Sequence, residues 1–269
     1  MFILATDLDR TLLPNGKEPY DGTVSELFAK ISEKKFVLAY VTGRDLNLVL
    51  DAVKKYGIKL PDFLLAEVGT VMYEKKGDKM IPLSDWSEYV RKKTQNWNRD
   101  KIVEMVGMRD LLELQEGWKQ NEFKVSFYLK EKDKKEEILR KIGKSLADIE
   151  IPADVIWSID PLQNDVGLID ILPESATKVT ALEFLRLKLG VEKEAVFYCG
   201  DSGNDLLPLT FGYKAIVVAN APEEVKEKAR LLTREKGYGE LLYIASGKYG
   251  NGNYSSGILE GLKHYGVVS

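Results

Sequence analysis

Five short apolar runs limit what this chain can fold into more than any other feature: FILAT (2–6), FVLAYVT (36–42), FLLAEV (63–68), AVFYCG (195–200) and AIVVAN (215–220). Each has strand length, is rich in β-branched and aromatic residues, and lacks the apolar/polar alternation of a half-solvated strand, so each reads as a strand buried on both faces. Helical patterns lie between them. DGTVSELFAKISEKK offers Thr23 or Ser25 as a cap, LNLVLDAVKKYG stops at Gly57, and TKVTALEFLRLKLG stops at Gly190. Strands alternating with helices give a parallel sheet covered on both faces, a doubly wound, Rossmann-like α/β core.

The middle of the chain breaks this rhythm. From about residue 83 a long charged helical stretch (SDWSEYVRKKTQNWNRDKIVEMVG) is followed by FKVSFYL, a charged helix (DKKEEILRKIGKSLAD), and the strands DVIWSI and LIDILP. All four tryptophans, Trp86, Trp97, Trp118 and Trp157, fall here. The expectation is an α+β domain at 83–173 inserted into a core made of 1–82 and 174–269, with hinges near Pro82 and Pro173. The tryptophans are expected to serve mainly as core. The charged runs KEKDKKEE and EEVKEKAR read as solvated helix faces.

Composition removes several classes of function. With 39 Lys and Arg against 42 Asp and Glu and no basic stripe, nucleic acid is not an expected partner. No apolar stretch approaches the roughly 20 residues of a membrane span, and no secretory segment opens the chain; a cytoplasmic protein is expected. One cysteine, Cys199, and one histidine, His264, exclude an internal disulfide, a thiolate zinc cluster and a multi-histidine metal site. Hydrolytic chemistry, if present, must run on carboxylates, Lys, Ser or Thr.

Such residues gather at predicted strand ends, where open parallel sheets bind ligands. Asp7 and Asp9 follow the first strand in DLDRTLLPNG. Thr42 and Gly43 follow the second, where a glycine admits an anion to backbone N–H groups and a hydroxyl adds a donor. Asp201, Ser202, Asn204 and Asp205 sit in GDSGND after AVFYC, and Lys178 opens the preceding helix. Each alone is an ordinary turn or a solvated side chain; their order and placement make them a candidate site.

In this order, Asp7-x-Asp9-x-Thr11, Thr42-Gly43, Lys178 and GDSGND resemble the four motifs of the haloacid dehalogenase-like phosphatases, with a cap domain between the second and third. LAYVTGR, AEVGTVMY, KVSFYL, DILP, GDSGNDLL, VANA and SSGILEGLKHYG are similar to the sucrose-phosphate phosphatase subgroup. The resemblance covers most of the chain, least clearly 83–120. It implies a phosphoric monoester hydrolase acting on a small sugar phosphate, sucrose 6-phosphate first. Asp7 would be the nucleophile forming an aspartyl-phosphate, and Asp9 the acid and then the base. Mg2+ would be held by Asp7, the Asp9 carbonyl and Asp201, with Asp205 and Ser202 supporting them from behind. Lys178, Thr42, Gly43 and Asn204 would hold the phosphate.

The resemblance also implies a monomer, with a sucrose-phosphate synthase as a candidate partner. Asp170 reads either as an acceptor of sugar hydroxyl protons or as a strand-end acid at a hinge. Three positions depart from the family pattern: Arg10 where many relatives carry a smaller residue, which disturbs the expected turn, Val179 where Gly is frequent, and Gly167 where sucrose-phosphate phosphatases tend to have Lys. The last is read as a lost sugar contact. It keeps open other phosphosugars, such as glucosylglycerol phosphate, mannosylfructose phosphate or a hexose phosphate, together with a phosphosugar mutase and a non-catalytic sugar-phosphate-binding module.

Overall fold

The structure, a computed structural model, describes residues 1–94, 96–106, 111–160 and 166–269. Its first part contains β1 (Phe2–Thr6), α1 (Val24–Glu33), β2 (Phe36–Val41), α2 (Leu46–Tyr56), β3 (Phe63–Ala66), β4 (Val71–Lys76), β5 (Lys79–Pro82) and α3 (Ser84–Lys93). Then come α4 (Arg99–Val106), β6 (Leu112–Leu114), β7 (Val125–Leu129), α5 (Lys135–Asp148), β8 (Ala153–Asp160) and β9 (Val166–Pro173). The chain closes with α6 (Lys178–Lys188), β10 (Val196–Gly200), α7 (Leu206–Leu209), β11 (Lys214–Val217), α8 (Glu223–Glu235), β12 (Leu242–Ile244) and α9 (Tyr254–His264).

Eight of these strands form one sheet in the order β12-β11-β10-β1-β2-β3-β4-β5. From β12 to β3 all neighbours are parallel. The β4–β5 hairpin then extends the edge antiparallel, turning at Gly77 with φ 63°. Successive residues of each central strand enter opposite cores: Ile3, Ala5, Ala39, Val41 and Tyr198 pack beneath α6, while Leu4, Leu38, Tyr40, Phe197 and Cys199 pack under α1, α2 and α9. This is why the runs carry no polar alternation. Because β1 pairs with both β2 and β10, the loops after these three strands meet at the point where the strand order reverses, the crevice in which doubly wound sheets bind ligands.

A second sheet, β6-β7-β9-β8, is antiparallel throughout. Val125, Phe127, Leu129, Ile169 and Ile171 face Ile102 and Val106 of α4 and Ile138, Ile142 and Leu146 of α5. The alternate residues, Ser126, Ile156, Asp170 and Leu172, lie on the opposite face; there Ile156 and Leu172 cluster with Val68 of the large-sheet unit.

Two features of the expected insert differ. Its first helix stretch is two helices, α3 and α4, separated after Thr94; Gln95 and Gly107 of the expected helix lie outside the described residues. Moreover, α3 packs on the large sheet: Trp86 and Val90, four residues apart on one helix face, are fully buried there. Trp86 donates from Nε1 to the Thr70 carbonyl at 3.3 Å, and its ring centroid lies 5.2 Å from that of Phe184 on α6. The change of composition at residue 83 reflects the charged outer face of α3, not a change of core. Among the other tryptophans, Trp97 and Trp157 are half-buried and Trp118 is exposed.

Candidate active site

Asp7 leaves β1 with its N–H bonded to the Cys199 carbonyl of β10 (2.9 Å), and its Oδ1 accepts from the Leu8 N–H at 2.8 Å. Its other oxygen stands 3.5 Å from Lys178 Nζ. Lys178, the first residue of α6, is fixed by its neighbour: Thr177 caps the helix, accepting from the Thr180 N–H. The ammonium donates to Asp205 Oδ1 at 2.8 Å and Asn204 Oδ1 at 2.9 Å.

GDSGND folds as a short 3₁₀ turn capped by Ser202. Asp205, wholly buried, accepts from Lys178, from the Tyr198 hydroxyl (2.6 Å), from the backbone N–H groups of Asp201 and Ser202 (3.1 Å each), and from Ser202 Oγ (3.2 Å). Its lone pairs are largely taken up. Asp201 accepts from Thr11 Oγ1 at 2.9 Å and faces Arg10 Nε at 3.6 Å. Carboxylate oxygens of Asp7, Asp201 and Asp205 lie within 4.8 Å of one another, all buried.

So many acids in so little water disturb one another. Burial drives the Asp7 carboxyl well above the usual carboxylate range; Lys178 opposes this, and Asp205, Asp201 and Asp9 add to it. Asp201 is pushed up to about 7, by burial and then by Asp205. Burial works against the charge of Lys178, but Asp205 and Asp7 outweigh it and hold the ammonium above its ordinary value. The cluster is short of positive charge.

Thr42 ends the adjacent strand, 1% exposed, and its Oγ1 accepts from the Arg44 N–H at 3.2 Å. Gly43 is exposed, with only Val68 near the position a Cβ would take. Asp9 is turned toward Arg44, which donates a two-pronged fork to it (2.7 and 2.8 Å), and toward Asn15, which donates at 2.6 Å. Asp170 lies on the small sheet, 8% exposed, accepting a short hydrogen bond from Ser126 Oγ on the neighbouring strand. The structure thus brings Asp7, Asp201, Asp205, Lys178, Asn204 and Ser202 into one cluster, with Thr42 and Gly43 at the adjacent strand end and Asp170 on the other sheet.

The sequence reading missed Arg44, although it stands in VTGR one residue after Gly43, and Tyr198, whose hydroxyl is hidden in an apolar strand. It treated Arg10 as a disturbance of the turn. In the structure Arg10 takes φ 58°, its N–H donates to Asn15 Oδ1, its carbonyl accepts from Asn220 Nδ2, and its guanidinium supplies charge beside Asp201. Asn15 and Asn220 hold the left-handed backbone.

A family model of sucrose-6F-phosphate phosphohydrolases matches residues 1–266. The chain belongs to that family. As a sucrose-6F-phosphate phosphohydrolase family member it is a phosphoric monoester hydrolase of the haloacid dehalogenase-like superfamily. A Nitrosococcus oceani protein that bears the name "Putative HAD-like hydrolase" is 37% identical over 267 residues, 98% of this chain and 71% of that protein. Sucrose-phosphatase 2 of Nicotiana tabacum is 32% identical over 198 residues, 70% of this chain; the match spans 43% of the tobacco protein's length. The sucrose-phosphatase of a Synechocystis species, solved in complex with sucrose and phosphate, superposes with a TM-score of 0.78 at 25% identity, covering 98% of both chains. Among the described residues no helix is long and apolar enough to cross a membrane.

Proposed function

We propose that this chain hydrolyses the phosphate monoester of a disaccharide or a comparable sugar conjugate, sucrose 6-phosphate first, in a Mg2+-dependent reaction through an aspartyl-phosphate. The observation that carries the reading is the buried Asp7–Asp201–Asp205 cluster with Lys178 at the crevice of the sheet. An all-oxygen donor set short of positive charge suits a hard, oxygen-seeking divalent cation such as Mg2+. Asp7 and Asp201 have lone pairs to offer it, whereas those of Asp205 are engaged by N–H and O–H donors, so Asp205 and Ser202 serve to hold the loop; the Asp9 carbonyl completes the proposed protein ligands. When bound, Mg2+ supplies charge that lets a phosphate dianion approach carboxylates.

In the first half-reaction an Asp7 oxygen bonds to phosphorus as the bond from phosphorus to the sugar oxygen breaks, and Asp9 gives its proton to that oxygen. In the second, Asp9 takes a proton from water, the water oxygen bonds to phosphorus, and the bond to Asp7 breaks, restoring the carboxylate and releasing phosphate. The Arg44 fork turns the Asp9 side chain away from the cluster; reaching the sugar oxygen requires Asp9 to leave that fork. Lys178, Thr42, Asn204 and the Gly43 N–H would neutralise phosphate oxygens. Asp170, with one oxygen bonded to Ser126, would accept from a sugar hydroxyl.

A mannosylfructose-phosphate phosphatase of Agrobacterium fabrum among the relatives favours a second reading, in which the phosphorylated disaccharide is a different one. Phosphate release should be measured from sucrose 6-phosphate, mannosylfructose phosphate, glucosylglycerol phosphate and hexose 6-phosphates, with magnesium and with chelator. Expected are a phosphorylated disaccharide as best substrate, silence in chelator, and a loss of at least about a thousandfold in Asp7→Asn. Undiminished turnover in chelator, or an active Asp7→Asn, would end this mechanism.

A further inference from the structure

The turn after β3 contains three consecutive residues in the left-handed region: Glu67 at φ 51°, Val68 at 63° and Gly69 at 94°. For a β-branched valine that region is sterically poor, so surrounding contacts must impose it. The Val68 N–H donates to the Thr42 carbonyl at 2.9 Å. Its side chain packs with Ile156 and Leu172 of the small sheet, and Gly69 lies against the Thr177 carbonyl, one residue before Lys178. One short turn therefore touches both proposed phosphate-binding strand and helix ends.

Its remaining side chain reaches the other way. Glu67 Oε2 accepts from Asn121 Nδ2 at 2.7 Å and stands 3.5 Å from Lys124 Nζ, and the same Asn121 amide donates to Thr70 Oγ1 at 2.7 Å. The Lys124 and Glu67 side chains are only 6% and 13% exposed. A lysine so enclosed is costly without a counter-charge, and among the described residues Glu67 is the acid within 4 Å of it.

We infer that Glu67 is a positioning residue that locks the small-sheet unit over the phosphate end of the large sheet through Lys124 and Asn121. The lock rests on the phosphatase reading above and sets when the two halves of a substrate are engaged together. Its physical content is differential: the pair gains free energy only while the units touch, because Lys124 and Glu67 are both hydrated when they part. A sugar phosphate, read by both sheets, depends on that closed arrangement; a small aryl phosphate, with nothing for the small sheet to hold, does not.

The test compares Glu67→Gln, Lys124→Met and the double variant on the best sugar phosphate of the panel and on p-nitrophenyl phosphate. A parallel measurement takes the distance between spin labels at Lys141→Cys and Glu33→Cys. Each single change should lower kcat/KM for the sugar phosphate about tenfold while leaving p-nitrophenyl phosphate within about twofold, and the double variant should be no worse than either single. The label distance should lengthen in all three. Equal losses on both substrates, additive losses in the double variant, or an unchanged distance would overturn the lock. If the unaltered chain cleaves p-nitrophenyl phosphate but no sugar phosphate, the proposed substrate fails instead, and the label distances alone decide the lock.

Discussion

Gly167 shows how a single position can mislead when read without its neighbours. Its odd spacing from Asp170 already places the two on opposite faces of β9, and in the structure the ring of Trp157 covers Gly167, so that a Cβ there would lie 2.4 Å from the indole. A lysine at 167 would enter the helix-covered face, away from Ser126 and Asp170. The glycine answers a packing demand on that face. Gly167→Lys should therefore destabilise the fold by about 1–3 kcal/mol, as overpacking does, without improving sucrose 6-phosphate turnover. Asp170→Ala should lower kcat/KM for the native sugar phosphate about tenfold, the worth of a hydrogen bond to a buried hydroxyl, and leave p-nitrophenyl phosphate nearly unchanged. Denaturant titration and the two rate constants check both; an improved sucrose preference in Gly167→Lys would reinstate the lost-contact reading. The gathering of Asp7, Asp201, Asp205 and Lys178 was legible because the acids follow strands of the sheet and the lysine opens the helix before β10. Arg44 and Tyr198 were not, because what they do depends on side-chain direction, which no spacing encodes.

The elements read best from sequence are those whose apolar pattern is unbroken. FILAT is β1 residue for residue, and Gly57, at φ 61°, ends α2 where the glycine signal put it. The β4–β5 hairpin escaped notice because VMYEKKGDKMIP mixes charge into an edge that water partly covers. β6 and β12, three residues each, are too short to carry a period. Nor does the sequence announce the left-handed turn, since glycine is expected at such angles and valine is not. Its tightness yields a prediction. A Cβ on Gly69 would come within 2.5 Å of the Thr177 carbonyl, at a backbone angle L-residues avoid. Gly69→Ala should therefore cost more than about 1 kcal/mol of stability and, by shifting the cap of α6, slow hydrolysis of sugar and aryl phosphates alike. Wild-type stability in urea would show that the backbones do not approach so closely.

At the scale of the molecule, four sequence segments spread over some two hundred residues reach one place because β1 lies between β2 and β10. The convergence has a thermodynamic signature. With its pKa pushed up to about 7, Asp201 binds more protons in the folded than in the unfolded chain between its ordinary value and about 7, so stability should fall as pH rises through that window. Asp7 is shifted in the same direction. In chelator the melting temperature should decline from about pH 5 to about pH 8, and magnesium should raise it more at the higher pH, where the carboxylates are free to bind it. Calorimetry giving the opposite slope would contradict the charge deficit described for the cluster. Trp86 carries a different consequence, for anyone grafting substrate preference between relatives. A chimera spliced at Pro82 would carry this indole away with the transplanted segment and part it from Phe184, which stays behind on α6. A junction placed between Thr94 and Arg99 would leave the plug where it belongs, so the transferable module begins a helix later than its composition advertises.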